Sequence, residues 1–502
     1  MMKTFTTPAV CLASVLLPLA AHVAGCGGDE TETTTASTMS SASTMSSAST
    51  FNEPTNSVGS GGTGGGGGAG GGGGGAGGGG GSASADRHLD PALFWGGDNR
   101  AKLDALLDNH GDHLASYDPN KKPVAIFDWD NTVIKNDIGD IVTFWMLNND
   151  KILQPPGKNW KHTSPFLTPE AVTALDAACN LVADAGQPLP TSQVTGTVCA
   201  DEIVSVYYTG MTKSGSAAFS GWNYRTLEPA YAWTVQLQAG YTPAEIKGFA
   251  EEAMDAALKA NVGDAQTVGT TMNLNAYLRI YDQIKDLIGA MQDDGFDVWV
   301  LSASSQHIVE PFAAMVGVGA DHVIGVRAVV DKDGLLTYNF QGCGSVVEGT
   351  NDGMGAVTGN TMITYLEGKR CWMNKVIYGD TTATAEQVQQ DLSKRPVFGA
   401  GDSDTDVSFL QDATGLKLAI NRNKNEIMCN AYANAGGTWL INPMFMAPRG
   451  ELAAGYACST TACKDKFGMK VACVDESGKV IPDQKDTVFC AGGMYDEASC
   501  QP

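Results

Sequence analysis

The chain has 502 residues and a formal net charge of −23. That acidity argues against nucleic acid or anionic lipid headgroups as partners. The length leaves room for one large or two moderate domains once a low-complexity N-terminal part is set aside.

The first 25 residues read as an address. Lys3 precedes an apolar run from Ala9 to Ala21, and small residues follow. A run this short before small residues is an export signal rather than a membrane span. Val23-Ala24-Gly25-Cys26 resembles the bacterial lipobox. The resemblance implies that Cys26 is lipidated and becomes the mature N-terminus. The protein is then expected to be lipid-anchored to the bacterial cell envelope, at the outer membrane or the periplasmic face. Residues 26–86 are expected to form a flexible tether. The stretch Ser-Thr-Met-Ser-Ser-Ala occurs twice, and 19 of the 23 residues from Gly59 to Gly81 are Gly. Such composition cannot bury a core; its r.m.s. reach is roughly 45 Å.

The globular part starts at residue 87. Asp98 to Leu114 has a helical pattern, with Leu103, Leu106, Leu107 and Leu114 on one face. Val124 to Phe127 is predicted to be a buried strand. It ends in Asp128-Trp129-Asp130-Asn131-Thr132. Two carboxylates at a buried strand end need a partner, and a hard cation is the natural one. Taken alone, Asp-x-Asp-x-Thr also suits an Asx-rich turn.

Residues 136–279 are predicted to be an inserted, mainly helical domain. Thr168-Pro169-Glu170 and Thr242-Pro243-Ala244-Glu245 mark helix starts, the second a capping box. Tyr207, Tyr208, Trp222, Tyr224, Tyr231 and Trp233 cluster here. Core packing is one reading of them; a cage for a quaternary ammonium group is the other.

A helix follows, with Ile280, Ile284, Leu287, Ile288 and Met291 on one face, ended by Gly295. Val298 to Leu301 is a second buried strand. It opens into Ser302-Ala303-Ser304-Ser305 and a helix near His307 to Met315, the makings of a phosphate-binding turn. Lys369, with Lys375 as its rival, could meet a phosphate. Pro396 to Ala400 is another strand, ending in Gly401-Asp402-Ser403-Asp404-Thr405-Asp406, and Leu416 to Ile420 is expected as the last strand. Core residues are thus expected at 87–135 and 280–450, with a Cys-rich extension at 451–502. Beyond Cys11 and Cys26, ten cysteines remain, five of them in the extension, and no Cys-x-x-Cys occurs. In an exported chain this suggests disulfides rather than zinc. One cysteine of the five must pair outside the extension, with Cys343, Cys371 and Cys429 as the choices.

Asp128-x-Asp130-x-Thr132, Ser302 after a strand, Lys369, and Gly401-Asp402-x-x-x-Asp406 resemble the four motifs of the haloacid dehalogenase superfamily, in that family's order. Within it the chain looks most like the phosphoserine phosphatase branch and bacterial phosphorylcholine phosphatases. The resemblance implies a doubly wound, Rossmann-like α/β core with a cap inserted after the first motif. It implies that Asp128 is a nucleophile forming an aspartyl-phosphate, and that Asp130 is the general acid and base, oriented by Thr132. It implies Mg²⁺ held by Asp128, the Asp130 carbonyl and Asp402, with Asp406 in support. Phosphoryl oxygens would be held by Ser302, Ala303, Lys369, Thr132 and the amides near Asn131.

The function expected is Mg²⁺-dependent hydrolysis of a small phosphate monoester. A phosphocholine-like ester is the first candidate, held by Trp222, Tyr224 and Trp233 of the cap. The alternatives are a phosphotransferase on the same fold and a non-catalytic, surface-displayed binding protein.

Overall fold

The computed structural model describes residues 87–347 and 361–501. The expected export signal, the lipidation at Cys26 and the tether lie outside the described residues.

Six strands make one parallel sheet. β1 (Val124–Phe127) buries all of its side chains, as a strand covered on both faces must. β2 (Asp297–Ser305) and β3 (Val323–Val326) extend the sheet on one side. β4 (Phe398–Gly401), β5 (Leu416–Asn421) and β6 (Trp439–Pro443) extend it on the other. The order is β3-β2-β1-β4-β5-β6, and every pairing is parallel. The chain winds outward from β1 one way, then returns and winds outward the other way. Such a reversal leaves a crevice beyond the strand C-termini. Phe127 pairs with Val300 on one side and Ala400 on the other, so the segments after them emerge together. This is the doubly wound α/β core expected from the sequence. β5 is not the last strand, because Trp439-Leu440-Ile441 adds β6 beside it.

α1 (Asn99–His110) packs Leu103, Leu106 and Leu107 inward. It stops short of the expected Leu114, where Gly111 turns extended. The chain then leaves the core after β1 and returns through a two-stranded ladder, Ile134–Lys135 against Arg279–Ile280. Between these lie α2 (Ile138–Asn148), α3 (Pro169–Cys179), α4 (Thr197–Val204), α5 (Pro229–Gln236), α6 (Pro243–Lys259) and a hairpin of Ala265–Val268 with Thr271–Asn275. α3 and α6 start as their sequences dictate. The Thr168 and Thr242 hydroxyls accept from the third amide, Pro follows each, and Glu245 completes the box. Cys179–Cys199 ties α3 to α4. One apolar cluster runs without a break from Leu103 and Phe127 to Trp160 and Trp233.

The remaining helices cover the sheet: α7 (Asp282–Asp293), α8 (Gln306–Ala313), α9 (Glu367–Val376), α10 (Val407–Asp412) and α11 (Asn425–Ala433). α7 buries Ile284, Leu287, Ile288 and Met291, as its periodicity predicts, but Ile280, expected on the same helical face, lies before the helix in the two-stranded ladder.

All ten described cysteines are paired. Cys343–Cys371 anchors α9, and Cys429–Cys458 fastens the C-terminal extension to α11. Cys429 is therefore the partner outside the extension. Cys463–Cys473 and Cys490–Cys500 close loops within it. Cys463–Lys464 and Lys470–Val471 form a short hairpin. That hairpin meets the insertion: the Tyr224 amide donates to the Lys466 carbonyl at 2.9 Å. Next to it, Arg225 donates to the Lys464 carbonyl at 3.3 Å and, through both terminal nitrogens, to Glu426 of α11.

Candidate active site

The site is built where β1, β2 and β4 end. The Asp128 amide donates to the Ala400 carbonyl, so Asp128 continues the ladder. Asn131 then takes φ 61°, a left-handed conformation that Asn tolerates better than most residues. Its side-chain oxygen accepts from the Asn136 amide. This turn carries Thr132 back under Asp128. The Thr132 hydroxyl lies 3.0 Å from Asp128 Oδ2 and 3.1 Å from Asp402 Oδ1. Sequence reasoning had Thr132 orienting Asp130; the turn brings it to Asp128 and Asp402 instead.

Lys369 comes from the first turn of α9. Its ammonium is 2.6 Å from Asp128 Oδ1 and 2.6 Å from Asp406 Oδ1, and it is fully buried. The other Asp406 oxygen accepts from the Asp402 and Ser403 amides. Glycine at 401 makes this possible, because a Cβ there would stand 2.5 Å from the Asp406 Cβ. Lys375, one and a half turns on, bonds the Gly342 carbonyl and covers the Trp372 ring. Of the two lysines, Lys369 is the one in the site.

Asp130 has different partners. Its Oδ1 accepts from the Ile138 amide at 2.7 Å, and its Oδ2 from the Ser304 hydroxyl at 2.8 Å. The Ser302 hydroxyl reaches the same oxygen at 3.4 Å and accepts from the Ser304 amide. β2 continues through Ser305, so Ser302 and Ser304 share a face of the strand. Ser302 is the inner of the two and is fully buried. The serine at the pocket surface is Ser304, which the sequence analysis did not single out.

Burial and the neighbouring Asp406 push the Asp128 carboxyl up, against the pull of Lys369. Burial, then Asp137 and Asp128, push Asp130 up as well. Burial would discharge Lys369, but Asp128 and Asp406 outweigh it and hold it charged. Two further cations stand at the site. Arg422, just past β5, is ion-paired to Asp402 Oδ2. Lys135 is pushed down to about 8 by burial and by Arg422. Neither was foreseen, because a single basic residue carries no pattern in the sequence.

A cleft of about 200 Å³ opens here. Asp128, Asp130, Asn131, Ala303, Ser304 and Asp402 line its inner end, and Arg422 stands beside them. Tyr207, Tyr224, Glu228, Tyr231 and Tyr365 line the rest with Asp137, Lys424 and Lys464. Of the expected cap residues, Tyr224 is on the wall. Trp222 and Trp233 are not. Trp233 is fully buried, with its Nε1 on the Thr163 hydroxyl and its ring against Trp160 and Phe219. It sits on the inner side of α5, so core packing claimed it. Thr132, Lys369 and Asp406 lie one layer behind the cleft and act through Asp128 and Asp402.

Carboxylate oxygens of Asp128, Asp402 and Asp406 lie within 4.8 Å of one another, all buried. Such an all-oxygen set fits a hard divalent cation. The Asp130 carboxylate is outside this group, held by Ile138 and Ser304.

Residues 220–411 match the family model for haloacid dehalogenase-like hydrolase. The match holds Ser302, Lys369, Asp402 and Asp406 but begins after Asp128. The sheet order and the strand-end motifs are consistent with the core of that family. A phosphorylcholine phosphatase of Pseudomonas aeruginosa is 28% identical over 204 residues, 38% of this chain. The chain covers 55% of that relative. A solved structure of a functionally unknown protein from Anaerococcus prevotii superposes with a TM-score of 0.51 at 19% identity. It covers 70% of this chain and 93% of its own. A substrate-bound phosphoserine phosphatase also aligns, at 13% identity and TM-score 0.25, over 60% of this chain and 86% of its own.

Proposed function

We propose that this protein is a phosphomonoesterase acting on a small phosphate ester through an aspartyl-phosphate intermediate. One observation carries the reading. Asp128 and Asp130 end the same buried strand and face the same cleft, yet have separate partners. Two carboxylates in different environments can take different roles.

Asp128 is held between Lys369 and Thr132, leaving it to attack phosphorus in line with the ester oxygen. Asp130, pushed toward its protonated form by burial, donates its proton to the departing alcohol. The same carboxylate then takes a proton from the water that attacks the aspartyl-phosphate, releasing inorganic phosphate and regenerating Asp128. Ser304, Ala303 and the amides after Asp130 would hold the phosphoryl oxygens. Asp128 and Asp402 are the residues that would hold Mg²⁺, with Asp406 supporting them. A cation there supplies charge neutralisation for the phosphoryl group.

The cleft volume suits a small leaving group. Four tyrosines with Glu228 and Asp137 suit a cationic one, such as the choline of phosphocholine. The name of the Pseudomonas aeruginosa relative supports the same direction. We also propose export and lipid anchoring at Cys26, which mass spectrometry of the N-terminal peptide tests.

The test is hydrolysis of p-nitrophenyl phosphate and phosphocholine by the purified protein, before and after chelation. Turnover that chelation removes and Mg²⁺ restores is expected. Activity indifferent to chelation overturns the metal, and no turnover of any ester leaves the binding-protein alternative. Transfer to an added alcohol in place of hydrolysis points to a phosphotransferase.

A further inference from the structure

Arg422 has no role in the chemistry above, yet it is at the site. It directly follows β5, whose last residue is Asn421. The position is fixed from behind: the Asn421 amide group donates to Asp486 and to the Val488 carbonyl of the C-terminal extension. Asn423, at φ 59°, gives its amide to the Asn421 side chain. The guanidinium is thus held by a rigid turn. Its side chain is 15% exposed, lines the cleft, and is paired with Asp402 Oδ2, while Thr132 takes Asp402 Oδ1.

We propose that Arg422 is a phosphate-orienting residue that sets the site's balance between its two charged occupants: it weakens the divalent cation at Asp402 and strengthens the phosphate anion. The proposal rests on the phosphatase reading. Charge and donor geometry both favour this role. A guanidinium on a ligand carboxylate repels a second cation bound by the same group. It also has five N–H donors in a planar fork, of which the Asp402 bond uses one. A phosphate in the cleft matches the rest of that fork. Lys369 cannot substitute, being buried behind the cleft and committed to Asp128 and Asp406. A residue that only braced Asp402 would have no need to reach the cleft surface.

The experiment measures two affinities on the full-length protein by calorimetry: Mg²⁺ into chelator-treated protein, and inorganic phosphate into the Mg²⁺-loaded protein. Arg422→Gln is expected to bind Mg²⁺ about tenfold tighter and phosphate about tenfold weaker than the wild type. Arg422→Lys keeps the charge and loses the fork. It is expected to hold Mg²⁺ as the wild type does and phosphate about threefold or more weaker. Opposite movement of the two affinities in one variant is a signature that bracing alone does not give. Mg²⁺ affinity that is unchanged or weaker in Arg422→Gln overturns the proposal, as does unchanged phosphate affinity. If Arg422→Gln does not fold, phosphate binding to Arg422→Lys at wild-type strength overturns it. A wild-type protein that hydrolyses no phosphate ester would instead sink the phosphatase reading.

Discussion

The ammonium of Lys369 lies 2.6 Å from Asp128 Oδ1, although 241 residues separate them in the chain. The same ammonium holds Asp406. One buried cation therefore pins the end of β1 to the turn after β4. Removing it leaves two buried carboxylates without their counter-charge, a costly arrangement. Lys369→Met is expected to lose activity and also about 3 kcal/mol or more of stability. Urea unfolding with the wild-type midpoint would show that the lysine does not hold these strands together.

Asp128→Asn should separate chemistry from architecture. The amide fills the same space: its oxygen still accepts from Lys369, and its NH2 donates to the Thr132 hydroxyl, which keeps its bond to Asp402. Turnover is expected to fall more than about 10³-fold, with the circular dichroism spectrum unchanged. Near-normal turnover in the folded variant would remove Asp128 from the reaction.

The cleft wall and the insertion core can be told apart by kinetics. Tyr231→Ala is expected to raise KM for phosphocholine about tenfold while p-nitrophenyl phosphate changes far less. Trp233→Phe removes the Nε1 donation to Thr163 and is expected to cost about 1 kcal/mol of stability at unchanged substrate preference. An unaltered ratio between the two esters in Tyr231→Ala would dismiss the tyrosine cage.

Acid should loosen the insertion from the core. Glu310 of α8 pairs with Lys247 of α6. Burial pushes its carboxyl up, but bonds from His307, Lys247 and Gln306 outweigh this and hold it at about 2, below the ordinary 4.5. A depressed carboxyl contributes stability above the unfolded value and loses it as pH falls through the folded one. Glu310→Gln is therefore expected to be less stable than the wild type by about 1–2 kcal/mol at neutral pH. The gap should close between pH 4.5 and about 2. A gap that stays constant over that range would show that Glu310 contributes by shape, not charge.

Much of this site was legible because buried strands leave a plain signal. Four apolar residues before Asp128, and short strands before Ser302 and Asp402, mark positions a doubly wound sheet brings together. Helix starts at Thr168 and Thr242 were legible through their caps, which are local. What failed was long-range. Nothing near Trp233 says which side of α5 faces Thr163, and of the expected Trp222, Tyr224 and Trp233 only Tyr224 lines the cleft. Thr132 bonds Asp402, 270 positions away, which no spacing shows. Arg422 and Lys464 reach the cleft from β5 and from the extension, and an isolated basic residue has no periodicity to betray it.

The hairpin of the extension ties the cleft wall to thiol oxidation. Its Lys464 lines the cleft, its Lys466 carbonyl holds Tyr224, and Cys463–Cys473 closes it. The wall is thus finished by a segment remote in sequence from the carboxylates it flanks, and that segment is closed by a bond that forms in oxidising surroundings. In a reduced chain the hairpin that presents Lys464 and holds Tyr224 would lack its cross-link. Completion of the cleft wall would then depend on thiol oxidation, separately from the folding of the sheet that carries the carboxylates.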